Sequence, residues 1–214
     1  MLVTDIIEIS KKQCKIMIDY EFAFVLYKGE LPLYKIKKDE PITEETYRQI
    51  VDEVLTKRAK LRAMNLLKSH SYTEKKLTEK LKRGLYPQSC IQCAVEYVKS
   101  YGYVNDDQYA TDYMFYHGSR LNRMQLFQKL REKGVPEEII VRNYEIYCHD
   151  NQGPKEEELI CDFLRKKGYR RDMFSISAEQ KNKWIRALIQ RGFAYDKICR
   201  VFANYGENAE EMYE

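Results

Sequence analysis

The chain has 214 residues, of which 33% are charged and 44% hydrophobic, and its formal net charge is +4. No apolar run approaches the roughly 20 residues that a helix needs to cross a bilayer, and the start MLVTDIIEIS lacks the basic and apolar stretches of a signal peptide. We therefore expect a cytoplasmic, helix-rich protein of one large domain or a few small modules, without a membrane partner.

The segment 1–43 predicts a small antiparallel sheet or a pair of hairpins. Residues 3–10, 13–19 and 22–28 are rich in β-branched and aromatic side chains and alternate in part between apolar and polar positions. A sheet of this size is marginally stable alone, so we expect it to pack on the helices that follow.

Beyond this segment the sequence takes on helical periodicity, with Leu61, Met64 and Leu67 among the positions of the apolar stripe, and it contains an internal repeat. LTEKLKRGLYPQSCI (77–91), LFQKLREKGVPEEII (126–140) and WIRALIQRGFAYDKI (184–198) each combine an apolar-striped helix, a turn and a second helix. A further helical segment precedes each copy, which makes three helices per unit. Such a pattern is typical of repeat proteins whose neighbouring units bury each other's apolar faces.

The predicted fold is therefore mainly α, with three tandem three-helix repeats in an elongated curved array behind the β segment. We expect a monomer, because each repeat is covered by its neighbour. The predicted divisions are 1–43 for the β segment, 44–104, 105–151 and 152–214 for the repeats, with a frayed acidic tail at the end of the last.

Helix starts support this division. Thr43 is a suitable N-cap, and Asn122 and Ser177 are each followed three residues later by a glutamine, which is the spacing of a capping box.

Helix ends are marked as well. Gly134 and Gly192 are well placed as left-handed residues that close a helix, and Pro87 and Pro136 suit the first turn of the next helix.

No catalytic constellation stands out. The sequence has no P-loop, G-x-S-x-G, H-E-x-x-H or dinucleotide-binding pattern, and we predict no catalytic residue, cofactor or metal site. Cys90 and Cys93 should share one apolar helix face, which favours reduced core thiols over a metal or redox site.

The run Asn105-Asp106-Asp107 permits two interpretations. Adjacent carboxylates could bind a metal or act in acid–base chemistry. They could also start a helix, because Gly102 can end the preceding one and Asn105 and Gln108 have capping-box spacing. Capping is the favoured interpretation.

Basic residues recur at similar places in successive repeats, and residues 44–105 carry a net charge of +5. Each group alone is typical of a solvated helix face, but a series along one groove could meet phosphates or an acidic protein surface. Some of the 18 tyrosines could stack on single-strand bases. The candidate contact residues are Lys57, Arg58, Arg62, Lys75, Lys76, Lys80, Lys82, Arg83, Arg120, Arg123, Lys129, Arg131, Lys133, Arg165, Lys166, Lys167, Arg170 and Arg171.

GYVNDDQYA (102–110), followed by L-x-x-x-L-x-x-K-G-V (126–135), resembles the RecX regulatory protein family. The strand-forming start, with DYEFAF (19–24) and PITEE (41–45), is similar to the longer RecX proteins of Gram-positive-type bacteria, and the resemblance covers essentially the whole chain. The motif residues to which we assign a structural role are Gly102, Asp106, Asp107, Tyr109, Ala110 and Gly134.

The resemblance implies a non-enzymatic regulator that binds the RecA–DNA filament and inhibits the RecA ATPase, strand exchange and coprotease activity. The implied partners are the RecA filament and DNA, the latter bound weakly or through RecA. The alternative is a helical-repeat protein that binds DNA on its own, and a metal-dependent enzyme using Asp106 and Asp107 is the third hypothesis.

The sequence departs from the family pattern in two places. His70, Tyr72 and Lys76 stand where the family usually has the two arginines and the acid of R-x-R-S-x-x-E-L, which puts any contact of those arginines in doubt. Asn122 stands where a glycine is common, and as an N-cap it should serve structurally.

Overall fold

The computed structural model describes residues 1–151, 155–169 and 176–207, and it confirms a mainly helical chain with a small antiparallel sheet at the N-terminus. The chain divides into two compact units, Met1–Asn105 and Asp106–Glu214. Among the residues described, no helix is long and apolar enough to cross a membrane.

The sheet consists of β1 (Val3–Glu8), β2 (Gln13–Ile18) and β3 (Glu21–Tyr27), paired antiparallel in that order. Asp19 and Tyr20 join β2 to β3 with φ angles of 48° and 68°. A two-residue loop with both φ angles positive matches the twist of the flanking strands, and this explains the tight hairpin.

One face of the sheet is buried against helices, as expected for a sheet that is marginal alone. Ile16, Phe24 and Leu26 are fully buried, and they belong to the same apolar cluster as Ile50 and Leu81 of the helical part. The β segment and the helices that follow therefore share one core.

The helices of the first unit are α1 (Glu44–Arg48), a π-helix (Gln49–Leu55), α2 (Thr56–Leu67), α3 (Glu74–Arg83) and α4 (Gln88–Ser100).

The π-helical stretch changes which residues of α2 face the core. Its wider turn ends where the Thr56 amide donates to the carbonyl of Val51, five residues earlier. Side chains beyond it are rotated about the helix axis, so Ala59 and Ala63 are buried, whereas Leu61 is 53% exposed. The prediction that Leu61 belongs to the apolar stripe is wrong for this reason.

Two other local predictions also need correction. Cys90 is buried and its thiol lies 3.4 Å from the Val51 carbonyl, but Cys93 is exposed, so the two do not share an apolar face. Pro87 and Pro136 stand one residue before the first turns of their helices, and their carbonyls accept the first helical hydrogen bonds.

The helices of the second unit are α5 (Asp106–His117), α6 (Arg123–Lys133), α7 (Glu137–Asn151), α8 (Glu156–Lys166), α9 (Ala178–Gln190) and α10 (Tyr195–Glu207). The predicted acidic tail beyond residue 207 lies outside the described residues.

Buried apolar side chains in the described ranges of the second unit form two clusters. One contains Met114 and Leu130 from α5 and α6, and the other contains Leu164 and Leu188 from α8 and α9. The repeat boundaries proposed from the sequence stay a prediction, which this clustering supports.

Most of the predicted helix signals are confirmed. The hydroxyl oxygens of Thr43 and Ser177 accept from amides three residues on, each at 3.2 Å. Gly102, Gly134 and Gly192 have φ angles of 72°, 89° and 89°, the left-handed conformation expected of residues that follow a helix.

Asn122 does more than cap α6. It forms the predicted capping box with Gln125, accepting from the Gln125 amide at 2.9 Å, while its own amide donates to the Gln125 side chain at 3.3 Å. Its side-chain nitrogen also donates to the Arg191 carbonyl at 2.8 Å, and the residue is completely buried. One amide thus ties the start of α6 to the turn after α9.

Gly192 lies in that same turn, against Met124. A Cβ atom added at Gly192 would lie 2.3 Å from the terminal methyl carbon of Met124 and 2.7 Å from its Cβ. The site therefore requires glycine for the backbone angle and also for the close approach of α6.

We predict that Gly192→Ala destabilises the protein more than Gly168→Ala. Both glycines have positive φ angles, but Gly168 has no neighbouring heavy atom within 4 Å of an added Cβ. Backbone strain alone should cost about 1–2 kcal/mol at each site, and crowding against Met124 should add about 1–3 kcal/mol at Gly192. Urea unfolding of both variants measures the difference, and equal losses would show that the contact with α6 is unimportant.

Candidate protein and nucleic-acid interface

The basic residues of α3 form the densest exposed group in the first unit. Leu77 and Leu81 bury one side of the helix in the core, and Lys75, Lys80 and Lys82 are exposed on the rest. Lys80, Lys82 and the neighbouring arginine lie in the last turn, where cations also interact favourably with the helix dipole. The group thus has a local structural explanation as well as a possible role in binding.

Arg58 of α2 is already engaged inside the first unit. Its guanidinium pairs with Glu30 and lies 4.6 Å from the centre of the Tyr27 ring, and its side chain is only 26% exposed. It anchors the segment after β3 to α2, so it is unsuited to bind a partner. Lys57 and Arg62 on the same helix are exposed.

Several other candidates form pairs within their unit. Arg131 donates two hydrogen bonds to Glu137, at 2.6 and 2.5 Å, and this contact lowers the pKa of the Glu137 carboxyl. Arg165 pairs with Asp162 at 3.0 Å, and the guanidinium of Arg123 lies 5.1 Å from the Phe127 ring centre.

Ten candidates remain exposed and make no ion pair among the residues that the structure describes. They are Lys57, Arg62, Lys75, Lys80, Lys82, Arg83, Arg120, Lys129, Lys166 and Lys167. Lys133 is exposed as well, whereas Arg170 and Arg171 lie outside the described residues.

The residues that depart from the family pattern do not replace an arginine clamp. Lys76 pairs with Glu79 of its own helix at 3.0 Å. His70 is exposed beside Tyr72, with ring centres 6.2 Å apart, and Tyr72 packs against the core. These three side chains offer no planar, bidentate grip on a phosphate or carboxylate.

An aromatic group lies at the end of α4. The rings of Tyr97 and Tyr101 are 5.0 Å apart, Tyr101 and Tyr103 are stacked at 6.1 Å, and the amine of Lys60 lies 4.8 Å from the Tyr97 ring centre. Tyr101 and Tyr103 are 60% and 57% exposed. Exposed aromatic faces beside a cation suit stacking on single-strand bases.

Asp107 holds α5 to α7. Its Oδ1 accepts from the Arg142 guanidinium and, at 3.1 Å, from the Asn143 side chain. Asn143 is buried and also accepts from the Thr111 hydroxyl at 2.6 Å. The hydrogen bond from Arg142 lowers the pKa of the Asp107 carboxyl.

This network joins α5 to α7 and gives the structural role assigned to Asp107 a specific form, with partners that the sequence did not reveal. Arg142 and Asn143 lie 35 and 36 residues further along the chain, so no short-range pattern links them to Asp107. Among the described residues, no group of three or more potential ligands could hold a metal ion. Capping by Asn105 or Asp106 stays a prediction, and Tyr109 and Ala110 pack in the core as expected.

Two of three comparisons with known proteins find relatives of this chain. No family model matches the chain. A regulatory protein RecX from Caldanaerobacter subterraneus subsp. tengcongensis is 35% identical over 170 residues, covering 78% of this chain and 84% of the relative. One from Clostridioides difficile is 29% identical over 192 residues, covering 87% and 86%. A crystal structure of regulatory protein RecX has a TM-score of 0.61 at 20% identity, covering 94% of this chain and 98% of the other.

The mainly helical fold is that of a regulatory protein of known structure, and the similarity to the relatives extends over most of each chain. The chain belongs to the RecX regulatory protein family.

We predict that Asp107→Ala lowers the free energy of unfolding by about 1–2 kcal/mol at pH 7, because a charged hydrogen bond across two helices is lost. Asp112→Ala is the matched control, since Asp112 accepts from Gln108 on its own helix at 2.8 Å and, in the described part of the chain, makes no hydrogen bond or ion pair with another helix. It should cost less than about 0.5 kcal/mol.

The difference between these variants should depend on pH. A lowered pKa means that the stabilisation is present above the unfolded-state pKa, about 3.9 for aspartate, and is lost as the pH falls through the folded-state value. Urea unfolding at pH 7 and pH 3 measures both. An equally large difference at pH 3 would contradict a role for the ionised carboxylate.

Proposed function

We propose that this chain binds the RecA–DNA filament and inhibits the RecA ATPase, strand exchange and coprotease activity, without catalysing a reaction of its own. The observation that carries the proposal is the 35% identity to a regulatory protein RecX over 84% of that relative's length. The relatives are named as regulatory proteins, and the Asp107 carboxylate is already used to join two helices.

Exposed cations in both units support binding to a filament that carries phosphates and acidic protein surfaces. Lys80 and Lys82 represent the first unit, and Arg120 and Lys166 the second. Once one weak contact with the filament has formed, a second contact by the same chain is an intramolecular event. The two contacts together therefore bind more tightly than either alone. A regulator built in this way needs no strong site in either unit, and a monomer suffices.

A titration against RecA on single-stranded DNA tests the proposal. We expect inhibition of the DNA-dependent ATPase at a ratio below one chain per RecA, since a chain that contacts several protomers affects more than one. No effect on ATPase rate or filament length over a broad titration would contradict it.

Within this assay, the double variant Lys80→Ala with Lys82→Ala should raise the half-inhibiting concentration about tenfold or more, as two exposed charges are lost. Lys11→Ala with Lys12→Ala is the charge-matched control, because both residues are exposed in the turn after β1. It should change inhibition less than about twofold. Equal effects of the two pairs would show that net charge, not the α3 surface, matters.

Binding to DNA without RecA is the second candidate function, and the exposed rings of Tyr101 and Tyr103 favour it. Replacing both by alanine should weaken binding to a fluorescent dT20 oligonucleotide if bases stack there. Only weak binding by the wild type at physiological salt, together with RecA inhibition, would remove this as the main role.

A further inference from the structure

A cavity of about 300 Å³ in the second unit is lined by cations from three separate parts of the chain. Arg120 comes from the connection between α5 and α6, Lys166 ends α8, and Arg191 follows α9. The sequence does not indicate that these side chains lie together, because 46 residues separate Arg120 from Lys166 and 25 separate Lys166 from Arg191.

The charge of the cavity is positive. Among the described residues that line it, the acidic one is Asp162, and its carboxylate already pairs with Arg165 at 3.0 Å. Ser119 also lines the cavity and can donate a neutral hydrogen bond. Such a set of donors suits an anion with several oxygen atoms.

Arg191 is held in place before any ligand arrives. Its guanidinium lies 4.4 Å from the centre of the Phe163 ring, and its carbonyl accepts from the buried Asn122 side chain at 2.8 Å. Gly192, the next residue, is packed against Met124. A cation that is already ordered loses less conformational freedom on binding, so its contact is stronger.

The cavity also has an apolar part. Phe163 and Phe193 line it and are both buried, each only 7% exposed. The Arg191 guanidinium already lies over the Phe163 ring, so this apolar part of the cavity helps to order the cation. The volume is at the lower end for small-molecule sites and exceeds that of one phosphate group.

We propose that this cavity binds a phosphodiester of single-stranded DNA, with Arg120, Lys166 and Arg191 on the phosphate oxygens. The inference deepens the proposed function and rests on it for the choice of DNA as the ligand. The planar guanidinium groups match two phosphate oxygens at once, which a compact ammonium group cannot do.

Fluorescence anisotropy with fluorescein-labelled dT20 and the full chain, at salt concentrations from 50 to 200 mM, tests the site. Arg120→Gln and Lys166→Gln should each weaken binding about fivefold at low salt, and each should reduce the slope of log affinity against log salt by about 0.7. Both residues are exposed, so the fold should tolerate the changes, and thermal unfolding checks this.

Lys167→Gln is the matched control. Lys167 is exposed next to Lys166, carries the same charge and does not line the cavity. It should change affinity less than twofold and leave the salt slope unaltered. An equal loss of affinity in the control, or no loss of affinity in either cavity variant, would overturn the assignment. Failure of the wild type to bind dT20 would overturn it as well.

RecA inhibition by the same variants separates this inference from the proposed function. If the cavity variants bind dT20 normally but fail to inhibit RecA, the cavity contacts protein, and the DNA assignment is overturned while the proposed function stands. If the wild type binds dT20 through the cavity and never inhibits RecA, the assignment stands and the proposed function fails.

Discussion

Short helices have too little apolar surface to bury unless something further covers them, and the two units meet this constraint differently. In the first unit the sheet supplies the cover, since Ile16 and Phe24 join the same cluster as Leu77 and Leu81. In the second unit two separate clusters lie in consecutive helix groups, and polar contacts made by Asn122 link those groups. The core of the first unit is therefore continuous, whereas the two clusters of the second unit are linked by the Asn122 side chain and by the packing of Met124 against Gly192.

Features that depend on residues three or four positions apart were predictable from the sequence. The N-caps at Thr43, Asn122 and Ser177 and the left-handed glycines all follow from local hydrogen-bonding rules that apply wherever the pattern occurs. The sheet was equally predictable, because its strands are adjacent in sequence.

Features that depend on distant partners were not predictable. Leu61 is exposed because a π-helical turn shifts the phase of α2, and no single residue marks that turn. Asp107 is explained by Arg142, a partner 35 residues away. The candidate interface was only partly predictable. The sequence identified the basic residues, but it did not show that Arg58 pairs with Glu30 inside the first unit.

The contact of Asn122 with the turn after α9 has a consequence for which residues other family members can have at these positions. A relative with glycine at this position has no side chain to reach the carbonyl of the residue equivalent to Arg191. Such a relative must hold the two helix groups together through other contacts. Its residue at position 124 need not lie as close to the turn after α9 as Met124 lies to Gly192 here. The residues at positions 122, 124 and 192 should therefore be substituted together among family members, because they form one contact between the two helix groups.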